Sequence, residues 1–214
     1  MATKTTLRAE VRRRRRARRA GTPALKAPFT PEFTPSPIPV RDRAEAEGIA
    51  RQIRALASSM GGVTLPALFV STPLEPDMSL ALGLFPRALL PVLLDEAGAP
   101  LGAPHWGLWE TGRALVTLGR PPAQPDGKAL GSEALAGADL ILIPALAASE
   151  DGTRLGQGGG WYDRALMYRS PGVPVVAAIF DDEVLEARVI PAEPHDVPVD
   201  AIVTPTRTIA TNVR

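Results

Sequence analysis

The chain has 214 residues, 45% of them hydrophobic, and a formal net charge of only +1, which suits one α/β domain (1–214) with a sizeable core. It has no cysteine and two histidines, so a disulfide framework, thiolate chemistry and sulfur- or multi-histidine metal centres are not expected; any metal would be a hard ion on carboxylates. No apolar run approaches the roughly 18 residues of a membrane span and no apolar h-region follows the N-terminus, so a cytoplasmic location is expected and membrane anchoring is not.

The charge is unevenly placed. Lys4, Arg8, Arg12 to Arg16, Arg18 and Arg19 give nine positive charges against Glu10 alone in the first 19 residues. This predicts a basic helix over 1–20 that serves as a nucleic-acid arm, a targeting segment or a face for an anionic ligand. Without interleaved aromatics, any nucleic-acid binding would be non-specific and salt-sensitive. Lys4 and Arg8 are four apart and so share one helical face.

Six prolines interrupt Gly21 to Pro39, so 21–40 reads as a linker or surface-hugging insertion. Arg41 to Ser59 reads as a helix, with Ala46, Ile49, Ala50, Ile53, Leu56 and Ala57 on one side and Gly61-Gly62 ending it. Leu65 to Ser71 is a predicted strand leading into the turn Thr72-Pro73-Leu74-Glu75-Pro76-Asp77. Arg87 to Leu94 is a second apolar run, and Pro91 inside it argues for an edge position or a strand start. Arg113 to Leu118 reads as a further strand and Gly119 to Lys128 as loop. Asp139-Leu-Ile-Leu-Ile-Pro144 has the apolar, β-branched character of a buried parallel strand. After it, Tyr162 to Tyr168 reads as a helix, Val173 to Phe180 as the next parallel strand and Ala201 to Val203 as the last.

Between that strand and helix lies Arg154-Leu155-Gly156-Gln157-Gly158-Gly159-Gly160-Trp161-Tyr162-Asp163, with four glycines in five positions. Glycine reaches positive φ cheaply, so consecutive N–H groups can converge on one anion, and a following helix N-terminus adds partial positive charge. The loop therefore predicts a phosphate-ester ligand. It lacks the Gly-Lys-Ser/Thr of a P-loop and the Gly-x-Gly-x-x-Gly of a dinucleotide fold.

Together with Pro194-His195-Asp196-Val197-Pro198-Val199-Asp200-Ala201-Ile202-Val203-Thr204-Pro205 downstream, this loop resembles the 5-formyltetrahydrofolate cyclo-ligase (methenyltetrahydrofolate synthetase) family. The resemblance extends to Lys4-Thr-Thr-Leu7-Arg8, which is similar to the family's opening Lys-x-x-Leu-Arg, and to the turn that holds Glu75. It implies a three-layer α/β/α fold with a mainly parallel sheet, similar to the sugar-isomerase/CoA-transferase arrangement. The implied reaction is ATP- and magnesium-dependent closure of 5-formyltetrahydrofolate to 5,10-methenyltetrahydrofolate, with release of ADP and phosphate, through a phosphorylated formyl (iminium phosphate) intermediate.

The resemblance also distributes roles. Lys4, Arg8, Arg154, Gly156, Gln157, Gly158, Gly159, Gly160, Trp161 and Tyr162 would bind ATP, with Gly158, Gly159, Gly160 and Tyr162 at the reacting phosphate and formyl groups. Glu75, Trp109, Gly159, Gly160 and Tyr162 would bind the folate, which can be polyglutamylated, and Asp163 and Asp200 would hold Mg2+. A monomer is expected, and His195-Asp196 reads as a pair that shapes its loop. Phe69, Pro76, Thr111, Gly159 and Trp161 depart from the residues usual at those places. A non-cyclising paralogue, a sugar-phosphate isomerase or CoA-transferase sharing the fold, and an RNA-binding protein with a basic arm stay open as alternatives.

Overall fold

The computed structural model describes residues 3–20, 40–118, 122–194 and 196–213; the proline-rich segment from 21 to 39 and His195 lie outside the described residues. In chain order the elements are α1 (Lys4–Arg19), α2 (Arg43–Ser59), β1 (Pro66–Ala67), α3 (Ser79–Leu82), β2 (Arg87–Leu94), β3 (Pro100–Glu110), β4 (Leu115–Val116) and β5 (Gln124–Pro125). A 3-10 turn, Ser132–Gly137, then leads into β6 (Leu140–Pro144), β7 (Ala147–Ser149), β8 (Arg154–Leu155) and α4 (Trp161–Leu166). The chain continues through β9 (Val175–Ala178), the 3-10 turn Asp181–Glu183, β10 (Val184–Leu185), β11 (Ala201–Val203) and β12 (Thr208–Ala210).

The main sheet has seven strands in the order β12-β11-β9-β6-β1-β2-β3. The five from β11 to β2 run parallel, and antiparallel β12 and β3 close the two edges. Strand alternation sorts the core into two layers. Leu140 and Leu142 of β6 face Ile49 and Ile53 of α2 and Leu82 of α3. Ile141 and Ile143 face Ala165 and Leu166 of α4 and Leu135 of the first 3-10 turn. This is the mainly parallel, helix-covered sheet that the βα alternation predicts.

Pro91 sits inside β2, second from the edge, rather than at an edge or a strand start. It is opposite Trp106, whose N–H donates outward to the Leu130 carbonyl at 3.1 Å. Pro91's missing donor therefore points toward β1, whose ladder with β2 consists of the Ala67–Leu89 pair, so no hydrogen bond is lost. The gap opened by the early end of β1 becomes part of a cavity described below.

Helix α1 opens on a capping box: the Thr3 hydroxyl accepts from the Thr6 N–H, and the Thr6 hydroxyl from the Thr3 N–H. Its inner face packs Leu7 and Val11 onto Leu146 and Leu155 beside a small sheet, β10-β7-β8. The same face carries arginines inward. Arg15 is 1% exposed; its Nε and Nη2 donate to the two Glu183 carboxylate oxygens at 2.7 Å each, and Nη2 also donates to the Ala145 carbonyl at 2.6 Å. Arg18 stacks 3.9 Å over the Phe180 ring while pairing with Asp182 at 2.6 Å. Arg14 is taken up by Glu10 at 2.9 Å. The basic run is thus a docked helix whose charges are largely met within the molecule.

Because an uncompensated buried charge is costly, Arg15→Ala is expected to lower the free energy of unfolding by about 3–5 kcal/mol. Exposed Arg16→Ala should stay within about 0.5 kcal/mol. Urea titration of the two variants checks the contrast between neighbouring arginines.

Candidate active site

A cavity of about 400 Å³ opens at the carboxyl ends of the parallel strands, where Phe69 and Val70 follow β1 and Pro144 ends β6. Its polar wall is the glycine loop. Gly158 and Gly160 have φ of +103° and +63°, conformations that L side chains adopt only with strain. A Cβ added at Gly159 would meet nothing within 4 Å, so that position borders open space.

Helix α1 grips this loop and lines the cavity beside it. Arg8 donates from Nε to the Gly156 carbonyl at 3.0 Å, and Arg12 from Nη2 to the Gln157 carbonyl at 2.8 Å and its side-chain oxygen at 3.0 Å. Lys4, also on the cavity wall, reaches Asp196 at 2.7 Å and Glu193 at 3.4 Å. Helix α4 has only six residues, so its dipole contributes little. The formal cations beside the loop are Lys4, paired with Asp196 and Glu193, and Arg8, and they outweigh the partial charge of so short a helix N-terminus.

Arg154, buried at the base of the loop, donates from Nε to the Val197 carbonyl at 3.1 Å and pairs through Nη2 with Asp163. That arginine ties the glycine loop to the segment after Asp196. Tyr162 also lines the cavity, and its ring meets Trp161 edge-on with centroids 4.7 Å apart. Burial, with the nearby Glu75 carboxylate adding to it, pushes the Tyr162 phenol well above its ordinary pKa, outweighing Arg154. The phenol therefore stays protonated at neutral pH, able to donate a hydrogen bond.

The lining also has an apolar part that includes Phe69, Pro91, Leu93 and Trp161, and Glu75 is the acid that follows β1 into it. Glu75 is 5% exposed and accepts from the Thr72 N–H at 2.8 Å. Asp77 fixes the far end of this turn, accepting from the backbone amides of Arg41 at 2.7 Å, Ser79 at 3.0 Å and Asp42 at 3.2 Å. Burial alone would raise the Asp77 carboxyl, yet those donors hold it below the ordinary carboxylate value.

Of the residues singled out in the sequence, the structure brings Lys4, Arg8, Glu75, Arg154, Gly156 to Tyr162 and Asp163 to this one cavity. Two are not brought there. Trp109 is buried among the side chains facing α2, and its indole N–H donates to the Arg113 carbonyl at 2.9 Å. It lies three residues along β3 from Trp106, so alternation turns it to the opposite face. Trp106, buried in the other core layer, packs 5.3 Å from the cavity-lining Trp161 without lining the cavity itself.

Asp200 sits at the amino end of β11, where its carboxylate accepts from the Val175 N–H at 2.8 Å and its own N–H donates to the Val175 carbonyl at 2.7 Å. That is the end of the sheet away from the cavity, so Asp163 and Asp200 do not form a pair. The carboxylate the sequence reading missed is Asp196, which lines the cavity with Glu193; its signal was its place in the same Pro194–Pro205 motif. Among the described residues no group of three or more His, Asp or Glu is placed to hold a metal ion by itself.

The 5-formyltetrahydrofolate cyclo-ligase family model matches residues 1–205. The chain belongs to that family. A 5-formyltetrahydrofolate cyclo-ligase from Mycolicibacterium smegmatis is 40% identical over 172 residues, covering 76% of this chain and 85% of the relative. The solved 5,10-methenyltetrahydrofolate synthetase of Aquifex aeolicus shares the fold at a TM-score of 0.67 and 21% identity, covering 97% of this chain and 92% of that one. That of Mycoplasma pneumoniae does so at 0.62 and 18%, covering 95% and 99%. The chain is accordingly a ligase of folate one-carbon chemistry. No helix among the described residues is long and apolar enough to cross a membrane.

Two measurements check these placements. Asp200→Ala should cost about 1 kcal/mol of stability through the lost Val175 hydrogen bond while leaving the metal titration of the reaction unchanged. Asp77 has a folded-state pKa below its unfolded value of 3.8, so its stabilisation is present above that pH and is lost as pH falls through the folded value. Acid unfolding curves of Asp77→Asn are therefore expected to be flatter below about pH 4 than those of the unsubstituted protein.

Proposed function

We propose that this cavity closes 5-formyltetrahydrofolate to 5,10-methenyltetrahydrofolate at the expense of ATP. The observation that carries this reading is the meeting, in one cavity, of a glycine loop with cations, suited to phosphates, and apolar side chains with the buried Glu75 carboxylate, suited to a pterin. A carboxylate matches an aminopyrimidinone because it accepts paired hydrogen bonds from ring and exocyclic N–H donors.

The chemistry needs both sets of groups. A formamide is a poor electrophile because its nitrogen donates into the carbonyl, and phosphorylation of the formyl oxygen turns that oxygen into a leaving group. The 10-nitrogen then attacks the formyl carbon intramolecularly, a five-membered closure favoured by high effective molarity. What the chain supplies is orientation and charge neutralisation. Amides of Gly158 to Gly160 and the cations of Lys4 and Arg8 face the phosphates, and neutral Tyr162 donates a hydrogen bond at the junction of the two ligands.

Magnesium fits this donor set only as an ion carried on the phosphates, since one or two carboxylates then suffice. Asp163 and Asp196 are the cavity acids nearest the loop and Lys4, and would hold it while it offsets phosphate charge.

Methenyltetrahydrofolate formation followed by absorbance, with ATP and magnesium omitted in turn, tests the assignment; turnover without ATP would overturn it. Arg8→Ala removes a charged contact worth about 1.5–3 kcal/mol and is expected to raise the KM for ATP by roughly 10- to 150-fold, with the KM for folate little changed. Glu75→Gln should do the reverse, weakening folate by a similar factor, and steady-state kinetics in both substrates separates the two.

A further inference from the structure

The turn that carries Glu75 is held from behind by two arginines. Arg19, in the last turn of α1, donates from Nε to the Pro73 carbonyl at 3.1 Å and from Nη2 to the Glu75 carbonyl at 3.1 Å. Arg41, just before α2, donates from Nη1 to the Thr72 carbonyl at 2.7 Å and from Nη2 to the Glu75 carbonyl at 3.3 Å. Three carbonyls of one short turn thus take guanidinium hydrogen bonds, and that of Glu75 takes one from each arginine.

The charges of these arginines are met by other acids. Arg19 Nη2 lies 2.9 Å from Glu45, and Arg41 Nε lies 3.9 Å from Asp77. Glu45 and Asp77 are joined in turn, the Asp77 N–H donating to Glu45 at 2.6 Å. The Glu75 carboxylate takes its hydrogen bond from the Thr72 amide instead, and among the described residues no arginine or lysine forms an ion pair with it. Cations behind the turn and none on its carboxylate leave that group's charge for the cavity.

Geometry sharpens the point. Arg19 lies on the same helix as Arg8 and Arg12, which hold the glycine loop. Arg19 stands eleven positions after Arg8 in one α-helix, about 16 Å along the axis. One rigid element therefore sets the separation of the phosphate loop from the Glu75 turn.

We propose that Arg19 and Arg41 are positioning residues for folate recognition, fixing the Thr72–Glu75 turn so that the Glu75 carboxylate meets the N–H donors of the pterin. This rests on the reading of Glu75 as the pterin acceptor. Only a guanidinium fork spans several carbonyls and a carboxylate at once; a lysine keeps the charge beside Glu45 or Asp77 but not the fork. Arg19→Lys and Arg41→Lys therefore remove the clamp while sparing the buried acids an unpaired charge.

The test compares Arg19→Lys, Arg41→Lys, Glu75→Gln and the Arg19→Lys/Glu75→Gln double variant in the full chain, measuring KM for both substrates, kcat and thermal midpoint. Each lysine variant should raise the KM for 5-formyltetrahydrofolate about tenfold, with the KM for ATP and the midpoint close to those of the unsubstituted protein. In the Glu75→Gln background, Arg19→Lys should add less than about twofold, because the group it positions is already lost.

Unchanged folate KM in both lysine variants, with Glu75→Gln impaired, overturns the proposal alone, as does a full Arg19→Lys effect persisting beside Glu75→Gln. An unimpaired Glu75→Gln removes the pterin reading and the proposal with it. If Arg19→Lys lowers the midpoint sharply, Arg41→Lys alone and combined with Glu75→Gln supplies the same comparison.

Discussion

The Arg15 guanidinium, buried against both oxygens of Glu183 and the Ala145 carbonyl, is the contact through which an arginine-rich helix becomes part of the body. Ala145 directly follows the last residue of β6, and Glu183 belongs to the turn after β9, so a single side chain bridges the carboxyl ends of two adjacent strands of the parallel sheet. Where Arg15 sits fixes where the rest of α1 lies. Toward its start the helix reaches the glycine loop, and toward its end the turn of Glu75. A buried ion pair is seldom favourable as a source of stability in its own right; here its geometry sets the register of a helix on which the glycine loop and the Glu75 turn both depend.

Much of the architecture could be read from the chain because burial writes itself into local patterns. The alternation of β6, the helical stripe of α2 and the span of β11 are visible in sequence, and the observed elements follow those expectations within a few residues. The glycine loop was legible because its φ angles exclude most other residues. Strand lengths were less so. Leu65 to Ser71 reads as one strand, yet the ladder stops at Ala67, and the chain beyond it turns aside to border the cavity.

The site's misplaced residues share a cause. Asp196 and Asp200 are four residues apart in one motif, but the segment between them runs from the cavity to the far end of the sheet, and composition carries no sign of that reversal. Trp106 and Trp109 differ in the same way, since their separation along β3 puts them on opposite faces and only the strand's place in the sheet says which core layer each joins. The arginines were harder still. A run of like charges looks solvated until the acids that receive it are known, and Glu45, Asp182 and Glu183 lie far away in sequence.

The edge-on contacts that join Trp106, Trp161 and Tyr162 have an optical consequence. The chain has three tryptophans. Trp106 and Trp109 are both buried in the core, whereas Trp161 opens onto the cavity. Ultraviolet emission from this molecule therefore combines a nearly constant background with one indole whose surroundings change when the adjoining space is filled. The intrinsic fluorescence is a built-in gauge of site occupancy that needs no attached dye.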